Sequence, residues 1–201
     1  MSDKKWKLHE EFYLSPQTMA ILPIQYGSKT YSKILELNRE ITTPYKPLDV
    51  IKKSCRFYAS SYDGRREGTK ELIGVTHKAP IVIDPIQSIY VFPTASPTSP
   101  KCAWISYEHV IDYRPVSKMK TEVTLQNDVT IQLSISTYSF ENQLFRTAHL
   151  QSKIVKRLRG WYKENMIHPV EMQMEAAERK KMYRYYSKLL KNYSGSNRLY
   201  K

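Results

Sequence analysis

A chain of 201 residues suits one domain of ordinary size with an appendage, and a domain this long buries about 70% of its unfolded surface without metal or disulfide staples. Hydrophobic residues at 41% and charged residues at 25% are globular values that exclude a disordered chain, and no apolar run approaches the roughly 20 residues of a membrane span. The formal charge is +13, and residues 151–201 alone hold 13 Lys and Arg against 4 Asp and Glu, a lopsidedness that favours a polyanionic partner.

The N-terminal "MSDKKWKLHEEFYL" carries charge but no apolar core, so no secretory signal is read there, and the two cysteines, Cys55 and Cys102, are expected as reduced, packed thiols in a cytosol. "QTMAILPIQ" (17–25) and "SKTYSKILEL" (28–37), separated by Tyr26-Gly27, predict a β-hairpin. "PLDVIKKSCRFYASS" (47–61) has near-helical spacing and opens on a proline suited to a first helical turn. "RREGTKELIG" (65–74) predicts a second short helix, after a turn at Asp63-Gly64. "APIVID", "SIYVFPT" and "CAWISYEHVIDYRP" are rich in β-branched and aromatic residues and predict strands, with "PTASPTSPK" (93–101) as a proline-rich loop between them. "TEVTLQNDVTIQLSIS" (121–136) alternates, turns at Asn127-Asp128 and alternates again, the pattern of a second hairpin.

From Ser139 the period becomes helical, with Thr137 or Ser139 as the expected N-cap. Phe140, Leu144, Ala148, Val155, Leu158 and Tyr162 form an apolar stripe. Arg146, His149, Lys153, Lys156 and Arg157 fall on the far side, a cationic face free to track phosphates. After "NMIHPVE" (165–171) a further helix is expected over 171–193, with Met172, Met182, Tyr186 and Leu190 on an apolar side available to a second copy or a partner. The expected fold is α+β: a mostly antiparallel β core with short helices, then a long amphipathic basic helix, then a helical appendage. The domain reading is a core over 1–163 and a basic appendage over 164–201.

Candidate chemistry is sparse. The five histidines show no pair at ligand spacing, neither cysteine has a C-x-x-C partner, and nucleotide-loop motifs are absent, so no metal or cofactor is expected and the chain does not read as an enzyme. "SSYDGRREG" (60–68) is the most suggestive polar stretch. Read as an exposed loop tip, it offers Arg65 and Arg66 to a narrow A/T-rich minor groove, and Ser60 and Ser61 to phosphate oxygens. Lys70, in the following helix, and Lys101, at the end of the proline-rich loop beside Thr98 and Ser99, complete the candidate set.

Three separated blocks, "KSCRFYASSYDGRREGTKELIGVTHKAPIVIDP", "IYVFPTASPTSPKCAWISYEHV" and "SFENQLFRTAHL", strongly resemble the bacterial competence transcription factor family, ComK, in the right order over about residues 15–155. The resemblance implies a cytoplasmic, nucleoid-associated activator of genes for DNA uptake and recombination. It implies recognition of paired A/T-rich DNA boxes, largely from the minor groove, by dimers assembled into a tetramer, with RNA polymerase as a further partner. It also implies abundance set by a MecA-type adaptor and a Clp protease, with no membrane role. The chain departs from the family where an aromatic segment ending in Tyr-Pro-Lys is expected: "VEMQMEAAE" (170–178) stands there, which puts adaptor capture in question. The competing readings are a diverged regulatory paralogue, or a protein-interaction module whose basic tail binds an acidic partner. An RNA-binding role is third, because no aromatic strand signature of the RNA-recognition type is present.

Overall fold

The computed structural model describes residues 8–165. Strands β1 (Thr18–Tyr26) and β2 (Lys29–Glu36) form the first expected hairpin, closed by a two-residue loop in which Gly27 takes φ +57°. A positive φ at that position matches the strand twist and suits glycine. β3 (Glu40–Thr43) follows, then α1 (Pro47–Phe57) and α2 (Tyr62–Ile73). β4 (Ile81–Asp84), β5 (Ile89–Pro93) and β6 (Trp104–Ser106) complete an antiparallel sheet of order β3-β2-β1-β6-β5-β4. A 3₁₀ turn at Tyr107–His109 breaks what reads as one long strand and sends the chain into a second sheet. That sheet comprises β7 (Val110–Ser117), β8 (Lys120–Leu125) and β9 (Thr130–Leu133), paired in sequence order. α3 (Thr137–Asn165) closes the described chain, and the α+β expectation holds.

The large sheet is covered on both faces, which is why its central strands are apolar almost throughout. Side chains alternate across the pleat. Ile21, Ile34, Ile81, Ile83, Val91 and Trp104 face α1 and α2, where Val50, Ile51 and Cys55 pack against them. Met19, Ala20, Leu35, Phe92 and Ile105 face the opposite way, onto Val123, Leu125 and Leu133 of the small sheet and Phe140 of α3. Phe92 and Phe140 meet edge to face at 5.5 Å, a pair whose truncation to alanine at either ring costs about 3–5 kcal/mol. A third cluster sits by the β4 edge, where Val82 and Tyr90 pack with Leu72 and Ile73 of α2 and Leu150 and Ile154 of α3.

Two expectations for α3 are corrected. Its N-cap is Ser136, whose Oγ accepts from the Ser139 N–H at 3.3 Å, while Thr137 already lies inside the helix. Its buried face runs Phe140, Gln143, Thr147, Leu150, with Ile154 half-buried at the end, so the expected Leu144, Ala148, Val155 and Leu158 lie at its half-buried margin. The stripe was misplaced because two of its members are polar. Gln143 is satisfied internally, its Nε2 donating to the backbone carbonyls of Lys78 (3.0 Å) and Pro93 (2.7 Å), and Thr147 donates to the Gln143 carbonyl at 2.7 Å. Residues Met1–Val155 form one compact unit and Lys156–Lys201 a second. The expected helix over 171–193, with Met172, Met182, Tyr186 and Leu190, lies outside the described residues.

Candidate nucleic-acid interface

The stretch read as an exposed loop is the junction of α1 and α2 and the first turns of α2. Ser60 ends α1 by donating to the Cys55 carbonyl at 3.0 Å. Ser61 is extended and caps α2, its Oγ accepting from the Gly64 N–H at 3.0 Å. Gly64 makes that cap fit, since a Cβ there would lie 3.0 Å from the Ser61 Oγ. Asp63 sits in the first turn, where a carboxylate complements the helix N-terminus. The loop-tip expectation therefore gives way to a helix start, built from the same Ser, Asp and Gly that suggested a turn.

The two arginines are not equivalent. Arg65 is half-buried; its Nε donates to the Ser60 Oγ at 3.0 Å and an Nη to the Ile83 carbonyl at 3.3 Å, so it braces α2 on β4. Arg66 is exposed and, among the described residues, pairs with Asp63 at 3.7 Å, a surface pair worth close to nothing. Lys70 is exposed in the last turn of α2, ahead of the left-handed cap Gly74.

On α3, Arg146, His149 and Lys153 are all exposed. No Asp or Glu occurs from Asn142 to Val155, so this stretch of the helix carries positive charge with no acid of its own, and the carboxylate set against it is Glu108, which accepts from Gln151 Nε2. Lys156 and Arg157 are exposed as well and belong to the second unit. Tyr138 (74% exposed) and Phe145 (67%), seven residues apart, stand on the same outer side of the helix, and sequence reasoning passed over both. Lys101 is exposed at the end of the proline-rich loop and lines a shallow groove with Pro23 and Gln132, apart from Arg66. A cleft beside α2 gathers Lys52, Arg66, His77 and Lys78. Of these only Arg66 was anticipated; the one sequence cue was the unassigned basic pair in "GVTHKAP" (74–80).

The remaining reactive groups are structural. Cys55 and Cys102 are free, buried thiols. Burial pushes Cys55 from an ordinary 9.0 up to about 11, outweighing the lowering by nearby Arg65 and Arg56, and burial raises Cys102 too. Neither offers a thiolate at neutral pH. His109 is buried, with its ring nitrogens 2.8 Å from the Pro16 carbonyl and 2.7 Å from Gln126 Oε1, and so ties the start of β1 to the β8–β9 turn. Among the described residues no cluster of three metal-ligating side chains occurs, and no helix is long and apolar enough to cross a membrane.

A family model described as ComK protein matches residues 9–159. The competence transcription factor of Bacillus subtilis (strain 168) is 42% identical over 158 residues, covering 79% of this chain and 82% of that protein. No solved structure matches the chain. A match over three quarters of the sequence, carried by the residues that build both sheets and all three helices, places this chain in the ComK family, a family of transcription factors and not of enzymes.

Proposed function

We propose that this chain activates transcription of competence genes by binding duplex DNA, reading A/T-rich boxes largely from the minor groove. The supporting observation is the exposed, acid-free stretch of α3 carrying Arg146, His149 and Lys153, in a chain 42% identical to a named competence transcription factor. Cations such as Arg146 and Lys153 displace condensed counterions from phosphates and set orientation on the duplex. With Arg65 committed to its own fold, Arg66 and Lys70 of α2 are the remaining basic candidates from the first motif. A guanidinium senses the negative potential of a narrow A/T-rich groove. In this reading residues 1–163 are the DNA-binding core. Residues 164–201 are a basic appendage serving self-association into dimers or tetramers, contact with RNA polymerase, or capture by a MecA-type adaptor for Clp proteolysis. The site of action is the cytoplasm, on the nucleoid.

The test is an anisotropy titration with A/T-rich duplex, G/C-rich duplex and single-stranded RNA at two salt concentrations. Expected are a preference for A/T-rich duplex and, for six to ten phosphate contacts, a loss of about a thousandfold or more between 50 and 200 mM salt. Arg66→Ala shrinks the A/T preference and leaves stability within about 0.5 kcal/mol. Arg65→Ala lowers stability by about 1.5–3 kcal/mol, as a lost charged hydrogen-bond donor should. Salt-independent binding, or capture of an acidic protein without duplex binding, sinks the reading.

A further inference from the structure

The cleft beside α2 has a volume of about 420 Å³. Lys52 enters it from α1, Arg66 from α2, His77 and Lys78 from the loop before β4, and the hydroxyl residues Ser96 and Thr98 from the proline-rich loop. Three permanent cations and a histidine thus line one concavity, against a single carboxylate, Asp63. That carboxylate's only cationic partner in the cleft is Arg66, in a loose pair at 3.7 Å with both side chains more than half exposed. The selection among lysines is specific: Lys53, next to Lys52 on α1, is engaged over the Tyr45 ring at 3.2 Å and does not line the cleft.

The walls are built before any ligand arrives. Lys78 takes φ +50°, a left-handed conformation that a non-glycine residue keeps only where its surroundings hold it. What holds it is the buried Gln143 of α3, donating to the Lys78 carbonyl at 3.0 Å. The same amide donates to the Pro93 carbonyl at 2.7 Å, where the opposite wall begins. Thr69 donates to the Pro80 carbonyl at 2.9 Å, tying that loop to α2, and the Ser96 and Thr98 hydroxyls bond each other at 3.2 Å. A concavity that gathers ammonium, guanidinium and hydroxyl donors on a braced backbone matches a tetrahedral oxyanion, whose oxygens accept from all three.

We propose that this cleft is a phosphate seat, holding one phosphate group of the duplex backbone between α1–α2 and the proline-rich loop. It rests on the DNA-binding reading and adds Lys52, His77 and Lys78, with Ser96 and Thr98, to its contacts. A seated phosphate takes over the Arg66 donors that Asp63 holds loosely, so binding fixes the register of α2 on the duplex.

The test measures the salt slope of A/T-rich duplex binding for the full chain, Lys52→Gln, Lys78→Gln, and the charge-preserving Lys52→Arg and Lys78→Arg. Of the two positions changed, Lys78 is exposed and Lys52 half-buried, and thermal melts check that each variant folds. Each glutamine variant is expected to lower the log–log slope, by at most about 0.9 because a single phosphate is seated, and each arginine variant to restore it. Wild-type slopes in both glutamine variants overturn the seat while leaving the DNA-binding reading intact. If the unmodified chain binds no duplex, that reading fails, and inorganic pyrophosphate titrated against the backbone amides of His77 and Lys78 decides the seat alone. Saturable shifts abolished by Lys78→Gln keep an anion seat served by a free phosphate ligand, and an absence of shifts removes it.

Discussion

Arg65 and Arg66 are adjacent and chemically identical, yet one is a brace and the other an exposed charge loosely paired with Asp63. The difference is helical geometry: one step of 100° turns Arg65 toward Ser60 and β4 and turns Arg66 toward solvent. Burial has the opposite consequence for Cys55 and Tyr90. Both are held in their neutral forms, Cys55 up from 9.0 to about 11 and Tyr90 up from 10.0 to about 12, chiefly by desolvation. A pKa raised in the folded state means stability that is complete below the unfolded pKa and is lost as pH climbs through the folded one. The unfolding free energy should thus be level up to about pH 9 and fall between about pH 9 and 11 through Cys55, then further through Tyr90. Urea melts at stepped alkaline pH check this, and Cys55→Ala should flatten the first part of the fall. An unchanged slope in that variant would show that the thiol is not its source.

At the level of elements, much of the fold could be read from the sequence. The first hairpin, α1, the β-branched runs and the second hairpin each carry a strong local signal, and each forms. β3 escaped notice because four residues, "EITT", between polar Arg39 and Pro44 carry too little pattern. α2 was cut short because Asp-Gly signals a turn and a helical first turn equally well. α3 was recognised as a helix but with its buried face misplaced, since Gln143 and Thr147 enter the core with hydrogen bonds that no hydropathy pattern records. The cleft was the least legible feature. Its shape depends on Lys78 in a left-handed conformation, and lysine is not a residue that announces one. Gln143→Leu tests the link between these last two. It takes the Gln143 donor from the part-buried Lys78 carbonyl and from the buried Pro93 carbonyl and should cost about 1–3 kcal/mol in a denaturant melt. A loss below about 0.5 kcal/mol, the range of an ordinary surface change, would mean that the amide is not what holds the loop.

On the scale of the molecule, Met1–Val155 is compact by itself, with its two sheets and its core clusters contained within it. A chain ending after Asn165 is expected to keep one cooperative unfolding transition and, as the proposed role of residues 164–201 in self-association requires, to sediment as a smaller species than the full chain, which calorimetry and sedimentation together report. Loss of the transition would make the C-terminal residues part of the fold. The sheet order carries one more consequence, for a chain still being made. β6 lies between β1 and β5, so three residues, Trp104–Ser106, join the half-sheet β3-β2-β1 to the half-sheet β5-β4. Until Ser106 clears the ribosome, the inner edges of β1 and β5 have no partner. Unpaired strand edges of that kind invite pairing with other chains and attack by proteases. The chain must therefore be synthesised through Ser106 before its central sheet can close, so the order of synthesis leaves both half-sheets open-edged until the last of six strands appears.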